Sequence, residues 1–158
     1  DENDNVVGLT TTDYQYALDD LFVGDMPQTS YAVGATLTPI SGLQLQVLYN
    51  QYDNNYADWS PDSREYDGSD EGADREQVWM APSYSKVDLH ATYALPEVAG
   101  VHPTVFAHIF NALDAVYVQD AVDHSQYNSW GDKVHAAQNA EVFLGSPRYF
   151  NIGLSVNF

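Results

Sequence analysis

Three observations in this sequence predict an all-β fold, specifically an antiparallel up-and-down segment of a transmembrane β-barrel with long acidic extracellular loops. Several stretches alternate apolar and polar residues with period two, which puts one kind of side chain on each face of a strand. No apolar run approaches the ~18 residues that a membrane-spanning helix needs. The acidic residues crowd into the connections: 21 of the 23 lie in residues 1–30, 53–82 and 114–147, and only Asp88 and Glu97 lie elsewhere.

The elements follow in order. Residues 1–30 hold β-favouring pieces such as VVGLTTTDYQYAL, without an alternation that defines a strand. Residues 31–38 alternate, with Tyr31, Val33, Ala35 and Leu37 on one side. Pro39, Ile40, Ser41 and Gly42 are turn-forming residues that make a tight connection. Residues 43–49 resume, with Leu43, Leu45, Val47 and Tyr49 opposite Gln44, Gln46 and Leu48, so the two segments form a hairpin. A long polar stretch, residues 53–82, leads to a third strand in which Val87, Leu89, Ala91, Tyr93 and Leu95 alternate with Lys86, Asp88, His90 and Thr92. The short connection PEVAGVHP precedes a fourth strand over residues 104–113. Its faces are alike, because Phe106 and Phe110 oppose Val105 and Ile109, and periodicity does not orient it. Residues 114–147 form a second long connection before the closing strand, where Phe150, Ile152, Leu154, Val156 and Phe158 oppose Asn151, Gly153, Ser155 and Asn157. Phe150 and Phe158 stand about 26 Å apart along an extended strand at ~3.3 Å per residue. At a tilt of about 40° this covers about 20 Å of membrane normal, near the height of the apolar band of an outer-membrane barrel.

Connections alternate between short and long. In an up-and-down sheet alternate connections share an end, so one end is long-looped and acidic and the other short and nearly neutral. A soluble sandwich has no physical reason for that asymmetry, whereas an outer-membrane barrel has short periplasmic turns and long outer loops. Five to six strands do not close a barrel of this kind, and an open edge in lipid leaves unpaired backbone groups, so further strands are expected as partners.

Composition excludes several classes. A net charge of -18, from 5 basic and 23 acidic residues, is incompatible with gripping a nucleic-acid backbone. Twelve tyrosines, six phenylalanines and three tryptophans argue against disorder. With no cysteine there is no disulfide framework and no thiolate chemistry.

Three segments carry a resemblance. NALDAVYVQDAV from Asn111 resembles an Asn-Leu-Phe-Asp-x-x-Tyr type of segment late in TonB-dependent outer-membrane receptors, with Ala112 and Leu113 departing from the usual Leu-Phe. PRYFNIGLSVNF resembles the last strand of that family, and residues 19–59 are similar to the late barrel of such receptors from Bacteroidota-like bacteria. The likeness covers about residues 19–158. It implies that residues 1–158 are the C-terminal part of a barrel of about 22 strands, with the plug domain and TonB box outside this chain. The implied activity is uptake of a scarce nutrient of the siderophore-iron, vitamin or oligosaccharide class, with no enzymatic step and no cofactor. The implied partners are the remaining barrel strands and plug, the TonB complex of the inner membrane, outer-membrane lipid and an unknown small-molecule substrate. The family's terminal phenylalanine serves as a barrel-assembly signal, which maps onto Phe158.

Tyr56, Trp59, Trp79, Tyr127 and Trp130 are candidate ligand-binding residues in the long loops, since aromatic faces stack on ligands; the competing role is packing the loops together. The acids of residues 53–76 lack the spacing of an EF-hand, and Asp58 with Asp62 is one of many carboxylate pairs that such abundance produces by chance. His90, His102, His108, His124 and His135 show no HExxH or related spacing, so no metal site is read from them. The alternatives are a soluble or cell-surface β-sandwich that binds a ligand, and, more distantly, a carbohydrate-active enzyme on a jelly roll.

Overall fold

The computed structural model describes residues 12–69, 71–129 and 131–157. The chain is all-β with antiparallel sheets, and the described residues form no closed barrel. In chain order the strands are β1 (Gln15–Tyr16), β2 (Pro27–Ile40), β3 (Leu43–Tyr56), β4 (Glu65–Tyr66), β5 (Met80–Ala81), β6 (Tyr84–Ala94), β7 (His102–Phe110), β8 (Val118–Asp123), β9 (Ala140–Leu144) and β10 (Tyr149–Asn157). Five of them form the main sheet in the order β10-β7-β6-β3-β2, and β5 adds a short rung beside the upper end of β3. Spatial order equals chain order, so the sheet is an up-and-down meander, with β2 and β10 as its free edges among the described residues.

All five alternating segments become these strands, but β2 and β3 run longer than their periodicity. β3 continues past Tyr49 to Tyr56, paired to β2 as far as Pro27 opposite Asn55. Over that extension Asn50, Gln51 and Asp53 make both faces polar, so hydrophobic alternation ends while the backbone ladder does not. The tight connection narrows to Ser41 and Gly42, because Pro39 is taken into β2 at a register irregularity between Leu37 and Ile40 on the free edge. Proline lacks the N–H of a central ladder and is tolerated there. Gly42 has φ +81°, and a Cβ on it would stand 2.7 Å from the carbonyl oxygen of Ala94. β7 starts at His102 and stops at Phe110, because Asn111 turns the chain in the left-handed region at φ 49°.

Register assigns the faces. Val33 lies opposite Tyr49, Val47 opposite Leu89, Leu89 opposite Ile109, and Ile109 opposite Phe150. One face is therefore apolar across all five strands. On the other face one row runs Thr36, Gln46, His90, His108, Asn151, and beside it Gly34, Leu48 and Asp88 pair in turn, as do Phe110 and Tyr149. This orients β7: Val105, Ala107 and Ile109 join the apolar face, and Phe106, His108 and Phe110 join the polar one. Phe106 lies across Gly153 of β10, where an added Cβ would fall 2.1 Å from the ring.

The apolar face is exposed. Val33, Leu37, Phe150, Ile152 and Leu154 are each more than 60% accessible, with Ile152 at 77%. The buried apolar residues are Ala17, Ala57, Val78, Ala81, Tyr117 and Ala121, and the largest side chain buried to below 2% is Arg64. Among the described residues, burial is concentrated in the loop layer.

That layer joins the three long segments at one end of the sheet. β1 pairs with β4, β8 pairs with β9, and Asp58 forms a parallel bridge with Val122. The bridge bonds Asp58 N–H to Ala121 O and Asp123 N–H to Asp58 O, both at 2.7 Å. Ala57, Val78 and Ala121 pack beneath them, with Tyr56, Trp59, Trp79 and Val118 against the cluster.

Candidate functional site

The polar face and the loop layer above it hold the groups with chemistry. β3 and β6 bring Tyr52 and Tyr84 together with ring centroids 4.7 Å apart, and Tyr117, just ahead of β8, stacks on Tyr84 at 4.3 Å. Lys86 Nζ sits 5.6 Å from the ring centroids of both Tyr52 and Tyr117. The β8–β9 hairpin thus leans over the polar face, tied by tyrosines and one cation. Beneath it lies a cavity of about 140 Å³ lined by Lys86, Asp88, Asn111, Tyr117, Gln119 and Tyr149, among others. An ammonium, a carboxylate, amides and phenols around one hollow can orient a polar ligand by hydrogen bonds.

A clasp closes the base of the excursion between β7 and β10. Buried Asn111 donates from its side-chain amide to Ala115 O at 2.9 Å and Ser146 O at 3.2 Å, and accepts from Ala115 N–H at 2.9 Å. Its backbone N–H donates to Asp88 Oδ1 at 2.8 Å. Asp114 Oδ1 accepts from Arg148 N–H at 2.9 Å, and Arg148 Nη1 donates to Ala112 O at 3.3 Å. The asparagine and aspartate of NALD and the arginine of PRYF, distant in sequence, therefore meet.

Higher in the layer is a buried charge cluster. Arg64 Nη1 pairs with Asp74 Oδ1 at 2.8 Å and donates to the carbonyls of Asp74 and Glu76, while Nη2 lies 3.9 Å from Asp123 Oδ2. His135 stands between the same two carboxylates, its Nε2 3.1 Å from Asp74 Oδ2 and its Nδ1 against Asp123 Oδ2. The arginine and histidine side chains are 1% and 4% accessible. A charge taken out of water at this depth is tolerable only when paired, so the cluster locks residues 57–83 to residues 111–148. Arg64 Nε and Nη2 are buried with no hydrogen-bond partner.

Exposed acids also feel their surroundings. Ser69, through its hydroxyl and then its backbone N–H, holds the Asp67 carboxyl below the ordinary 3.8. Repulsion from Asp58, with lesser contributions from desolvation and Asp120, raises that of Asp25 above the same value.

The candidate aromatic residues separate. Tyr56, Trp59 and Trp79 pack against the small loop core. Phe22 stacks on Tyr56 at 4.6 Å, and Trp59 Nε1 donates to Phe22 O at 2.8 Å with Arg64 over its ring. Tyr127 is 71% accessible and stands clear of that group. Trp130 and Phe158 lie outside the described residues. Periodicity places Lys86 on the polar face of its strand without marking it as a site residue, and nothing local marks Arg64. Asn111 alone carried a signal, as the first residue of the quoted segment.

Comparison with family models, with curated proteins and with solved structures returns no match to this chain.

Proposed function

We propose that this chain is the C-terminal barrel portion of a TonB-dependent receptor of a bacterial outer membrane, taking up a scarce nutrient of the siderophore-iron, vitamin or oligosaccharide class. The carrying observation is the inverted distribution of apolar side chains, large ones outside on one continuous sheet face and a polar face opposite. Fully burying a valine, leucine, isoleucine or phenylalanine is worth about 1.5–3 kcal/mol. Tyr31, Val33, Leu37, Leu45, Val47, Tyr49, Phe150, Ile152, Leu154 and Val156 are between 37% and 77% accessible. Covering that remaining surface is worth on the order of 10 kcal/mol, comparable to the whole net stability of a domain. Hydrocarbon covers such a face at no cost in backbone polarity where strands pair on both sides, and partner strands on β2 and β10 would remove the cost at the edges.

The meander topology, the short connections at one end and the acidic layer at the other agree with this reading. So does the way the β8–β9 hairpin leans over the polar face, as a loop folded toward a lumen would. The free edges of β2 and β10 are where further barrel strands pair. A β-sandwich would require a second sheet on the apolar face, and among the described residues the remaining ladders, β1–β4 and β8–β9, have two strands each.

The test is site-directed spin labelling along β10 in the full receptor reconstituted in lipid. Labels at Ile152, Leu154 and Val156 are expected to collide with oxygen dissolved in the bilayer. Labels at Asn151, Gly153 and Ser155 are expected to collide with a water-soluble nickel chelate. Recovery of the protein in the soluble fraction, or accessibility without a two-residue period, rejects the proposal.

A further inference from the structure

The hairpin of β6 and β7 places His90 directly opposite His108, four residues along each strand from the pair Ala94 and Thr104. Their Nδ1 atoms are 2.8 Å apart, with the rings edge to face and centroids 4.9 Å apart. Two ring nitrogens at that separation aim at one point between them. In the metal-free pair, one ring presents an N–H there and the other a lone pair.

We propose that His90 and His108 form a half-site for a late first-row divalent transition ion, held through the two Nδ1 lone pairs. Two cis imidazole nitrogens, each about 2.0–2.1 Å from a metal, stand about 3 Å apart, so seating the ion in place of the shared proton moves the rings by only a few tenths of an ångström. Neighbouring rings hold the pair in place. Phe110 lies 5.5 Å from His90 and 5.9 Å from His108, and Phe106 lies 5.4 Å from His108. These apolar walls restrict the imidazoles and lower the local dielectric, as the surroundings of metal sites do. Imidazole selects copper, nickel and zinc over calcium and magnesium, and Cu²⁺ heads the order of affinity. A net charge of -18 concentrates cations around the chain.

Among the described residues, no set of three or more His, Cys, Asp or Glu is arranged to hold a metal. In the same row Gln46 lies opposite His90 and Asn151 opposite His108, offering only neutral amides. The ion's other positions are thus filled by weak donors, water or ligands that it brings with it. Such a half-site suits a cation that stops and leaves again, or one that arrives already chelated. The site is defined on the polar face whatever that face encloses, so it goes beyond the membrane reading and does not rest on it.

The experiment is electron paramagnetic resonance of the full protein with one equivalent of Cu²⁺, backed by titration with Cu²⁺ and with Ca²⁺. A signal showing two equivalent imidazole nitrogens is expected. His90→Ala and His108→Ala should each reduce it to one nitrogen or none and weaken Cu²⁺ binding at least tenfold. His102→Ala and His124→Ala, which change histidines near single carboxylates, should leave it intact. A wild-type spectrum without two nitrogens overturns the proposal whether or not the variants fold. So does a two-nitrogen signal that survives in both single variants, or Cu²⁺ binding no tighter than Ca²⁺. Failure here leaves the spin-label pattern along β10 untouched, and failure of that pattern leaves the copper spectrum untouched.

Discussion

Replacing Arg64 with alanine should unfasten the loop layer while leaving the main sheet in place. The guanidinium is 1% accessible and faces Asp74 and Asp123, themselves 11% and 5% accessible. Removing one member of a buried ion pair costs about 3–5 kcal/mol, because the charge left behind has neither water nor partner. Here two carboxylates are left with His135 and one backbone N–H each, from Glu76 and Ser125, and the carbonyls of Asp74 and Glu76 lose a donor. The loss should therefore lie at the upper end of that range, raising the equilibrium constant for opening the layer by about three orders of magnitude at ~1.4 kcal/mol per tenfold. Hydrogen exchange reads this directly. Amides of Asp58 and Asp123, bonded between the two loop segments, and of Ala57, bonded to Trp79 O, should lose protection, while those of β6, β7 and β10 keep theirs. An Asp123→Asn partner substitution should recover part of the loss, since it removes one of the stranded charges. A loss under about 1 kcal/mol, or one spread evenly over sheet and loops, would refute the reasoning and mark the cluster as incidental.

Asn111→Ala removes three side-chain hydrogen bonds from a residue that is 2% accessible and adopts positive φ, so a cost of about 2–4 kcal/mol is expected, seen as faster proteolysis within residues 111–148. Asn111→Gly, which suits the φ but not the bonds, should recover only the backbone part. Leu154→Arg should destabilise the reconstituted protein by about 2–4 kcal/mol if the residue faces lipid near the midplane, and Ser155→Arg by far less; equal small effects in denaturant titrations would place Leu154 in water. Ser69→Ala should bring the Asp67 carboxyl back up toward 3.8, as followed by carbon NMR during acid titration. Because the folded-state value is depressed, its stabilising contribution is present above the unfolded value and fades as pH falls through the folded one, so Ser69→Ala should flatten that loss below about pH 4.

Much of the sheet was legible because a half-polar strand advertises itself: residues 31–38, 43–49 and 150–158 separate their faces cleanly. β7 did not, since phenylalanines on its polar face mimic the valine and isoleucine on the other; only pairing with β6 and β10 distinguishes them. The upper ends of β2 and β3 were hidden for the reason given by Asn50, Gln51 and Asp53, where pairing outlasts hydrophobic contrast. Of the candidate site, the acidic rim was visible as charge, but Arg64 reads in SPDSREYDG as one more solvated residue. Its burial depends on Asp74, Asp123 and His135 converging from separate stretches, which no local pattern encodes. The His90–His108 pair was equally invisible, because the bridge between Val98 and Val101 and the ladder from Ala94 opposite Thr104 differ by one residue, and counting outward from the turn at Ala99 and Gly100 sets His90 against Ile109.

The clasp formed by Asn111, Asp114 and Arg148 has a consequence for how such a chain can change over time. The two ends of the excursion are fastened to each other, and the Asn111 end to Asp88, so β10 finds β7 without consulting anything in between. The enclosed stretch behaves as a cassette: insertions, deletions or wholesale exchange there leave strand alignment alone. Sequence change can be absorbed in that stretch while the scaffold stays fixed.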